Sequence, residues 1–480
     1  MTWCPRAGEA RGLLRVSWLP AAMVLVVLLL ASPWWGPHGD ELYFRMLPAQ
    51  WWYEDQPPLT VWLSGLAAHA SDQLWVQRIP AAVSASLGAV VGAWGAQTLG
   101  GSSRSQRLAA WSSAFTVYPL LIGHVFVTAT LDLLAWQVVI VLSLRALRES
   151  PTWWVAVGAV AGVSCWNKLL ALVLLAAVAI AAVLIRPRAL MNRWALSGAA
   201  AVGLIGGPQL LAQAVHGFPM SVVARTLAGE HAASVRLLVL PMLVVLVGPG
   251  LFAVWRTGLV QPWSRPGNEE MRLVSLVVIV MLVWTVVIPS QLYYPAGAAL
   301  PGLWVGWVLL DRAWQQGAKP WRPRRTRARV VANGVASVMI CLPVLPTSAV
   351  VTRLVSRVNP MVSDQLGWAD TAQIVDLARG SETTVVTDSY PVAGAVDYYL
   401  RGKGVRVYSG HNALWSLGPP ASQRVVLVGP IARTMTDWFV SCQPVSAPPA
   451  MSGRSPVMMA ICDTPRRGWA RTWPQFRRLG

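Results

Sequence analysis

Pro33-Trp34-Trp35-Gly36-Pro37-His38-Gly39-Asp40-Glu41-Leu42-Tyr43-Phe44, followed by Trp51-Trp52-Tyr53-Glu54-Asp55-Gln56-Pro57-Pro58-Leu59, is the stretch on which the fold reading turns. It brings four carboxylates together directly after an apolar run, residues 13–32. Leu42, Tyr43, Met46, Leu47 and Trp51 fall at helical spacing, which predicts a helix over 41–53 lying in a membrane interface with its rings at headgroup level. Pro57-Pro58 opens a second short helix, where proline is tolerated in the first turn. Its face of Leu59, Trp62, Leu63 and Leu66 is apolar.

Outward from this loop the chain is greasy. Of 480 residues, 55% are hydrophobic and 12% charged, with mean hydropathy +0.49 and net charge +19. Soluble domains carry about 25% charged residues, so a disordered chain is excluded and the balance is against a soluble enzyme. Crossing a ~30 Å hydrocarbon core takes about 20 residues. Eleven apolar runs approach that length: 13–32, 78–98, 108–127, 128–147, 152–167, 169–185, 194–215, 235–255, 272–289, 295–311 and 330–350. The first follows Arg6, Arg11 and Arg15 and has the outline of a signal peptide, but the chain after it keeps crossing, so it reads as a span.

A large positive charge can signal nucleic acid; here its placement signals topology. With alternating spans, 20 of the 39 cations fall on one side of the membrane and only five on the other within the first 350 residues: Arg45, Arg78, Lys168, Arg225 and Arg236. That bias predicts a cytoplasmic N-terminus in a multi-pass plasma-membrane protein, with 1–350 as the membrane module and 351–480 as an extracytoplasmic domain. The acids follow the opposite trend. Asp40, Glu41, Glu54, Asp55, Asp72, Asp132 and Glu230 fall on the outer side, as do all six histidines, His216 and His231 among them. Polar chemistry is therefore expected at the outer face, with the lipid bilayer as partner and no nucleic acid.

The tail alternates between strand and helix patterns: Thr383–Thr387 as strand, Pro391–Leu400 as helix, Val405–Tyr408 and Val425–Val428 as strands, Ile431–Phe439 as helix and Val457–Cys462 as a last strand. This predicts a small α/β domain. An oxidising compartment would permit a Cys442–Cys462 disulfide; two buried thiols are the alternative. No Walker loop, GxGxxG, GxSxG or Cys/His metal spacing is present.

Six segments in order carry a family resemblance. They are Gly39-Asp40-Glu41-Leu42-Tyr43, Glu54-Asp55-Gln56-Pro57-Pro58-Leu59, Thr130-Leu131-Asp132-Leu133, Trp166-Asn167-Lys168, Gly207-Pro208-Gln209 through His216-Gly217-Phe218-Pro219, and Gln291-Leu292-Tyr293-Tyr294 through Pro301. Asp388-Ser389-Tyr390 and Tyr398-Tyr399-Leu400 extend the likeness into the tail. The chain resembles membrane glycosyltransferases of the GT-C fold, in particular glycosyltransferase family 39, the protein O-mannosyltransferases and the aminoarabinose transferases.

That resemblance implies a hexosyl- or pentosyltransferase, mannosyltransferase-like, moving a sugar from a polyprenyl-phosphate donor to a hydroxyl of a protein, glycan or lipid acceptor, with inversion. Asp40 would be general base or acceptor orienter, supported by Glu41. Glu54, Asp55, Gln56, Asp132, Arg78, His216, Tyr293 and Tyr294 would line donor and acceptor sites. Lys168, one of only three lysines, would balance the leaving phosphate, with Arg45 and Arg78 as alternatives. No cofactor is required by the pattern, although His38, Asp40 and Glu41 would be the residues to hold a divalent metal.

Two positions depart from the family. Gln56 stands where aminoarabinose transferases carry Lys, and Gln291 where many relatives do. Neutral glutamine cannot balance a phosphate, which keeps a non-catalytic relative open. A transporter or flippase is the other class to weigh, but no internal repeat appears and the acids gather at one mouth rather than mid-bilayer.

Overall fold

The computed structural model describes residues 7–264, 267–289, 291–318, 323–344, 346, 350–445 and 457–480. Cys4, Arg6, Arg265, Lys319 and Arg322 lie outside the described residues, as does the side chain of His231. In chain order the helices are α1 (Ala7–Ala31), α2 (Gly39–Met46), α3 (Leu59–Ala70), α4 (Leu74–Thr98), α5 (Ser103–Ala114), α6 (Val117–His124), α7 (Thr128–Arg148), α8 (Trp153–Ser164), α9 (Leu170–Ile185), α10 (Arg193–Val215), α11 (Pro219–Val247), α12 (Phe252–Ser264), α13 (Arg272–Val287), α14 (Ala296–Ala299), α15 (Pro301–Gln315), α16 (Pro323–Cys341), α17 (Val350–Val358), α18 (Pro360–Ser363), α19 (Trp368–Arg379) and α20 (Tyr390–Tyr399), with two short helices further on. Five strands follow α19: β1 (Thr384–Thr387), β2 (Arg406–Ser409), β3 (Val425–Val428), β4 (Phe439–Val445) and β5 (Met459–Pro465).

The chain forms two compact units. The first is Met1–Ser32, Arg78–Gly217 and Leu227–Val344; the second is Pro33–Gln77, Phe218–Thr226 and Leu345–Gly480. The second unit thus takes in the whole acidic loop of 33–77, and the chain is not divided simply at residue 350.

The first unit is a helical bundle. Among the described residues five helices are long and apolar enough to cross a membrane: Ala10–Ala31, Leu74–Thr98, Thr128–Arg148, Arg193–Val215 and Glu269–Val287. Pro219–Glu230 and Ala232–Val247 are a pair bent by 81°, which counts as a sixth only if the two pieces make one span. Several of the eleven expected runs are built from shorter pieces. Run 108–127 divides at Phe115-Thr116 into α5 and α6, and run 295–311 into α14 and α15. Runs 152–167 and 169–185 become the short apolar helices Trp153–Ser164 and Leu170–Ile185.

Small residues set the helix contacts, as expected where lipid removes the hydrophobic drive for helix association. α8 crosses α10 where a Cβ on Gly158 would lie 2.0 Å from Gly198 O. Where α5 meets α15, two buried tryptophans find polar partners: Trp304 Nε1 donates to Ser113 Oγ (2.9 Å) and Trp307 Nε1 to Ser112 Oγ (2.8 Å).

The second unit is built on a mixed sheet of order β2-β1-β3-β5-β4, parallel across β2, β1 and β3 and antiparallel across β5 and β4. Strand alternation divides its core in two. Val386, Leu427, Phe439 and Trp473 pack in one cluster; Val385, Val426, Val375 and Val396 pack in the other. The helix expected over Ile431–Phe439 stops after one turn at Thr434, and Phe439 opens β4. β4 is an edge strand whose exposed residues supply no apolar run, so its sequence hides it. Cys442 pairs directly with Cys462 across β4 and β5, and their sulfurs are 2.01 Å apart.

The acidic loop joins this unit through α2. Its helix ends at Met46, not at residue 53, because Pro48 holds Leu47 in an extended conformation. Its apolar face does not lie in headgroups. Leu42, Tyr43 and Phe44 are buried, and the last two share a cluster with Ala393, Ala413 and Leu414. The face of α3 stays open at Leu66, which is 68% exposed. α2 meets α20 so closely that a Cβ on Gly394 would lie 2.6 Å from Leu42 Cβ and 2.8 Å from its carbonyl carbon.

Gly394→Ala is therefore expected to destabilise the second unit by about 1–3 kcal/mol, read as a lower melting temperature of the full chain in detergent. Gly65→Ala, in α3 with no atom within 4 Å of its Cβ, is the matched control and should be neutral or slightly stabilising. Equal melting of the Gly394 variant and wild type would contradict this packing.

Candidate functional site

Two polar clusters stand out, one in each unit. In the second unit the first turn of α2 is built by a reciprocal cap. His38 Nδ1 accepts from Asp40 N (3.1 Å), and Glu41 Oε2 accepts from His38 N (2.8 Å). Since Nδ1 accepts, the ring proton sits on Nε2, which faces Asp364 Oδ2 at 3.4 Å. Asp364 also accepts from Gly39 N (2.6 Å). Glu41 is fully buried in this cap, so its carboxylate holds the helix start. Asp40 and Glu41 both lie in the first turn, where the helix dipole favours negative charge. The same bonds turn His38 and Glu41 away from a shared metal site, and among the described residues no group of three His, Cys, Asp or Glu is arranged to hold a metal ion.

Asp40 is left partly exposed, and its Oδ1 accepts from the Tyr390 hydroxyl (2.9 Å). Tyr390 opens α20, directly after β1. The negative charge of Asp40, then burial, push the Tyr390 phenol well above the ordinary tyrosine range, so it stays protonated and donates. Its ring packs at a tilt against Tyr43 (centroids 4.6 Å) and His411 (4.9 Å), and its backbone N–H donates to His411 Nδ1 (3.3 Å).

Beneath it, the Tyr43 hydroxyl contacts both oxygens of Asp55 at 3.0 Å and accepts from Ala413 N (3.0 Å). Burial pushes Asp55 up to about 7, while its bond from Tyr43 works the other way and the charges of Asp40 and Glu54 add to the rise. Glu54 Oε1 accepts from Arg477 (3.0 Å). Its other oxygen, and Gln56 Nε2, are buried and have no hydrogen-bond partner among the described residues. Arg45 is tied to Asp72 (2.8 Å), which also meets Arg401, so this cation belongs to an ion network rather than to an open site.

In the first unit Asp132 lies at the start of α7, and Lys168 at the junction of α8 and α9. Together with Tyr118, Trp136, Tyr293 and Tyr294 they line one small cavity. Lys168 Nζ sits 4.5 Å from the Tyr294 ring centroid and 5.5 Å from that of Tyr293, a cation–π arrangement. Tyr118 stacks on Tyr293 at 6.0 Å. Asp132 Oδ1, Trp136 Nε1 and Ser164 Oγ are buried next to one another, the Trp136 and Ser164 side chains near the Asp132 carboxylate but without a well-formed hydrogen bond among the described residues. Such atoms are costly unless something polar joins them.

Two expected residues stand apart. Arg78 is fully buried, and its Nη1 donates to Ser32 O (3.0 Å) at the end of α1 and lies 3.3 Å from His124 Nε2. His216 is exposed at the end of α10, with Nδ1 2.7 Å from Ala212 O. Sequence reading missed Asp364 as a partner of His38, because nothing in Ser363-Asp364-Gln365 marks it. It also missed the bond from Tyr390 to Asp40, although Asp388-Ser389-Tyr390 carried a family signal.

Residues 55–211 match the family model described as dolichyl-phosphate-mannose-protein mannosyltransferase. The fold is similar to that of ArnT from Cupriavidus metallidurans. The apo structure matches with TM-score 0.60 and 17% identity, and the structure bound to undecaprenyl phosphate with 0.59 and 16%; each match covers 92% of this chain and 97% of that one. No curated protein sequence matches the chain. The chain is therefore a polytopic α-helical membrane protein of the GT-C glycosyltransferase fold with a small C-terminal sheet domain, as its motifs led one to expect.

Asp55 gives this cluster a pH signature. A carboxyl raised in the folded state binds more protons there than in the unfolded chain, so stability falls as pH rises from about 4 to about 7. Asp55→Asn should remove that component: the difference in melting temperature between wild type and variant should change across this window and level off above it. A constant difference from pH 4 to 7 would contradict the assignment.

Proposed function

We propose that this protein is a glycosyltransferase that moves a sugar from a polyprenyl-phosphate donor to an acceptor hydroxyl at the extracytoplasmic face, with inversion at the anomeric carbon. The observation that carries this reading is the fold likeness to ArnT, one structure of which holds undecaprenyl phosphate, together with two polar clusters made of the residues its motifs singled out.

Each cluster suits one half of the reaction. The acceptor oxygen forms a bond to the anomeric carbon while the bond from that carbon to the phosphate oxygen breaks, and the lipid phosphate leaves with the electron pair. Asp40 takes the acceptor proton. The bond from Tyr390 orients Asp40 Oδ1, leaving Oδ2 to face the acceptor. The cap through His38 and Asp364 fixes the helix turn that carries it. Lys168 neutralises the departing phosphate, held in place by the Tyr293 and Tyr294 rings. Glutamine at 56 and 291 leaves Lys168 to supply the positive charge that relatives draw from lysines at those positions.

Asp40→Asn should lower turnover by about 10²–10⁴-fold with little change in donor affinity. Lys168→Gln should lower turnover and weaken donor binding together. Both are measured with a panel of polyprenyl-phosphate sugars and purified enzyme. Transfer that survives unchanged in Asp40→Asn would overturn the base assignment. Substrate-dependent transport in vesicles without any transfer would favour a transporter.

The orientation rests on the distribution of cations, with the N-terminus cytoplasmic. Lys403→Cys, at an exposed turn of the sheet domain, should react with a membrane-impermeant thiol reagent in intact cells. Labelling only after the membrane is opened would reverse the topology.

A further inference from the structure

The largest cavity described shares no lining residue with either cluster. It is a groove of about 910 Å³ in the first unit, walled by α1 and α16 and floored by α5. Its chemistry is graded from end to end. α5 contributes Arg104 and Arg107 from its start, then Trp111 and Phe115 further on. α16 contributes Arg327 near its start, then Val331 and Val335. The two helices run side by side in the same sense, because Asn333 of α16 meets Phe115 just beyond α5 (Nδ2 to O, 3.4 Å) and, eight residues further on, Cys341 meets Val117 at the start of α6 (Sγ to O, 3.4 Å). All three arginines therefore collect at one end, where two helix N-termini add to the positive potential.

Among the described residues none of the three arginines forms an ion pair. Arg104 lies over the Trp314 ring at 3.8 Å, a contact that leaves the guanidinium edge able to donate. The carboxylate of Asp311, near the start of α5, is engaged by Ser102 (2.5 Å) and Gln315 (3.3 Å). Met23 and Val27 of α1 close the apolar part.

The length also discriminates. The twelve helical steps from Arg327 to Met339 rise ~18 Å, close to half of the ~30 Å hydrocarbon core. A cationic end followed by one leaflet's depth of apolar wall fits one kind of molecule. We propose that this groove binds a single anionic phospholipid of the bilayer, with its phosphodiester between Arg104, Arg107 and Arg327 and an acyl chain along Trp111, Val331 and Val335. Basic pockets between membrane helices recognise anionic headgroups in this way. The bound lipid would seal α16 to α1 and α5, and its effect is on stability rather than on sugar transfer.

Native mass spectrometry of the full chain, with phosphatidylglycerol and phosphatidylcholine added in competition, tests this. Wild type should retain phosphatidylglycerol selectively. Each Arg→Gln change at 104, 107 or 327 should reduce that selectivity about fivefold. Arg107→Gln alone, at an exposed position, keeps the test readable if the triple variant fails to fold. Val335→Trp, which fills the groove and leaves the arginines, should lose the bound lipid and its thermal stabilisation. Equal retention of the two lipids by wild type, or selectivity that survives the triple change, would overturn the proposal. Displacement of phosphatidylglycerol by equimolar undecaprenyl phosphate would overturn the assignment to a bilayer phospholipid.

Discussion

The contact between Leu42 and Gly394 is the constraint on which the acidic site depends. Because Gly394 has no side chain, α20 can meet the backbone of α2. That approach buries Leu42 and Tyr43 in protein rather than in lipid. It also brings the first residue of α20, Tyr390, to the one carboxylate of the α2 first turn that stays accessible. The neighbouring Glu41 is consumed by the cap that starts the helix. Two adjacent acids thus differ, one engaged in the cap and one left accessible, and their identical residue class conceals this in the sequence.

Much of the architecture was legible because it follows from solvent. A chain with so little charge must cross a membrane, and its cations mark the ends of its spans. The strands at 384–387 and 425–428 were legible from their apolar runs, and α20 from its pattern. Less legible were elements whose burial is decided at long range. Trp51 falls on the helical pattern of α2 yet lies beyond Pro48, which ends the helix first. β4 carries an edge-strand pattern, and only pairing with β5 identifies it.

The fold brings part of the expected residue set together, in an arrangement that the sequence did not disclose. Asp132, Lys168, Tyr293 and Tyr294 do line one cavity. Arg78 does not join them, because a carbonyl at the end of α1 takes its guanidinium. Asp364 lies 325 residues from Gly39, whose backbone it binds, and no local pattern predicts such a pairing. The pairing of Tyr43 with Asp55 was equally silent, since its effect comes from burial.

The central claim is that the sugar comes from a lipid phosphate by a single displacement. The anomeric configuration of the product, read by nuclear magnetic resonance against that of a defined polyprenyl-phosphate sugar, tests it most directly. The account predicts an inverted linkage. A retained linkage, or release of sugar without any acceptor linkage, would contradict it.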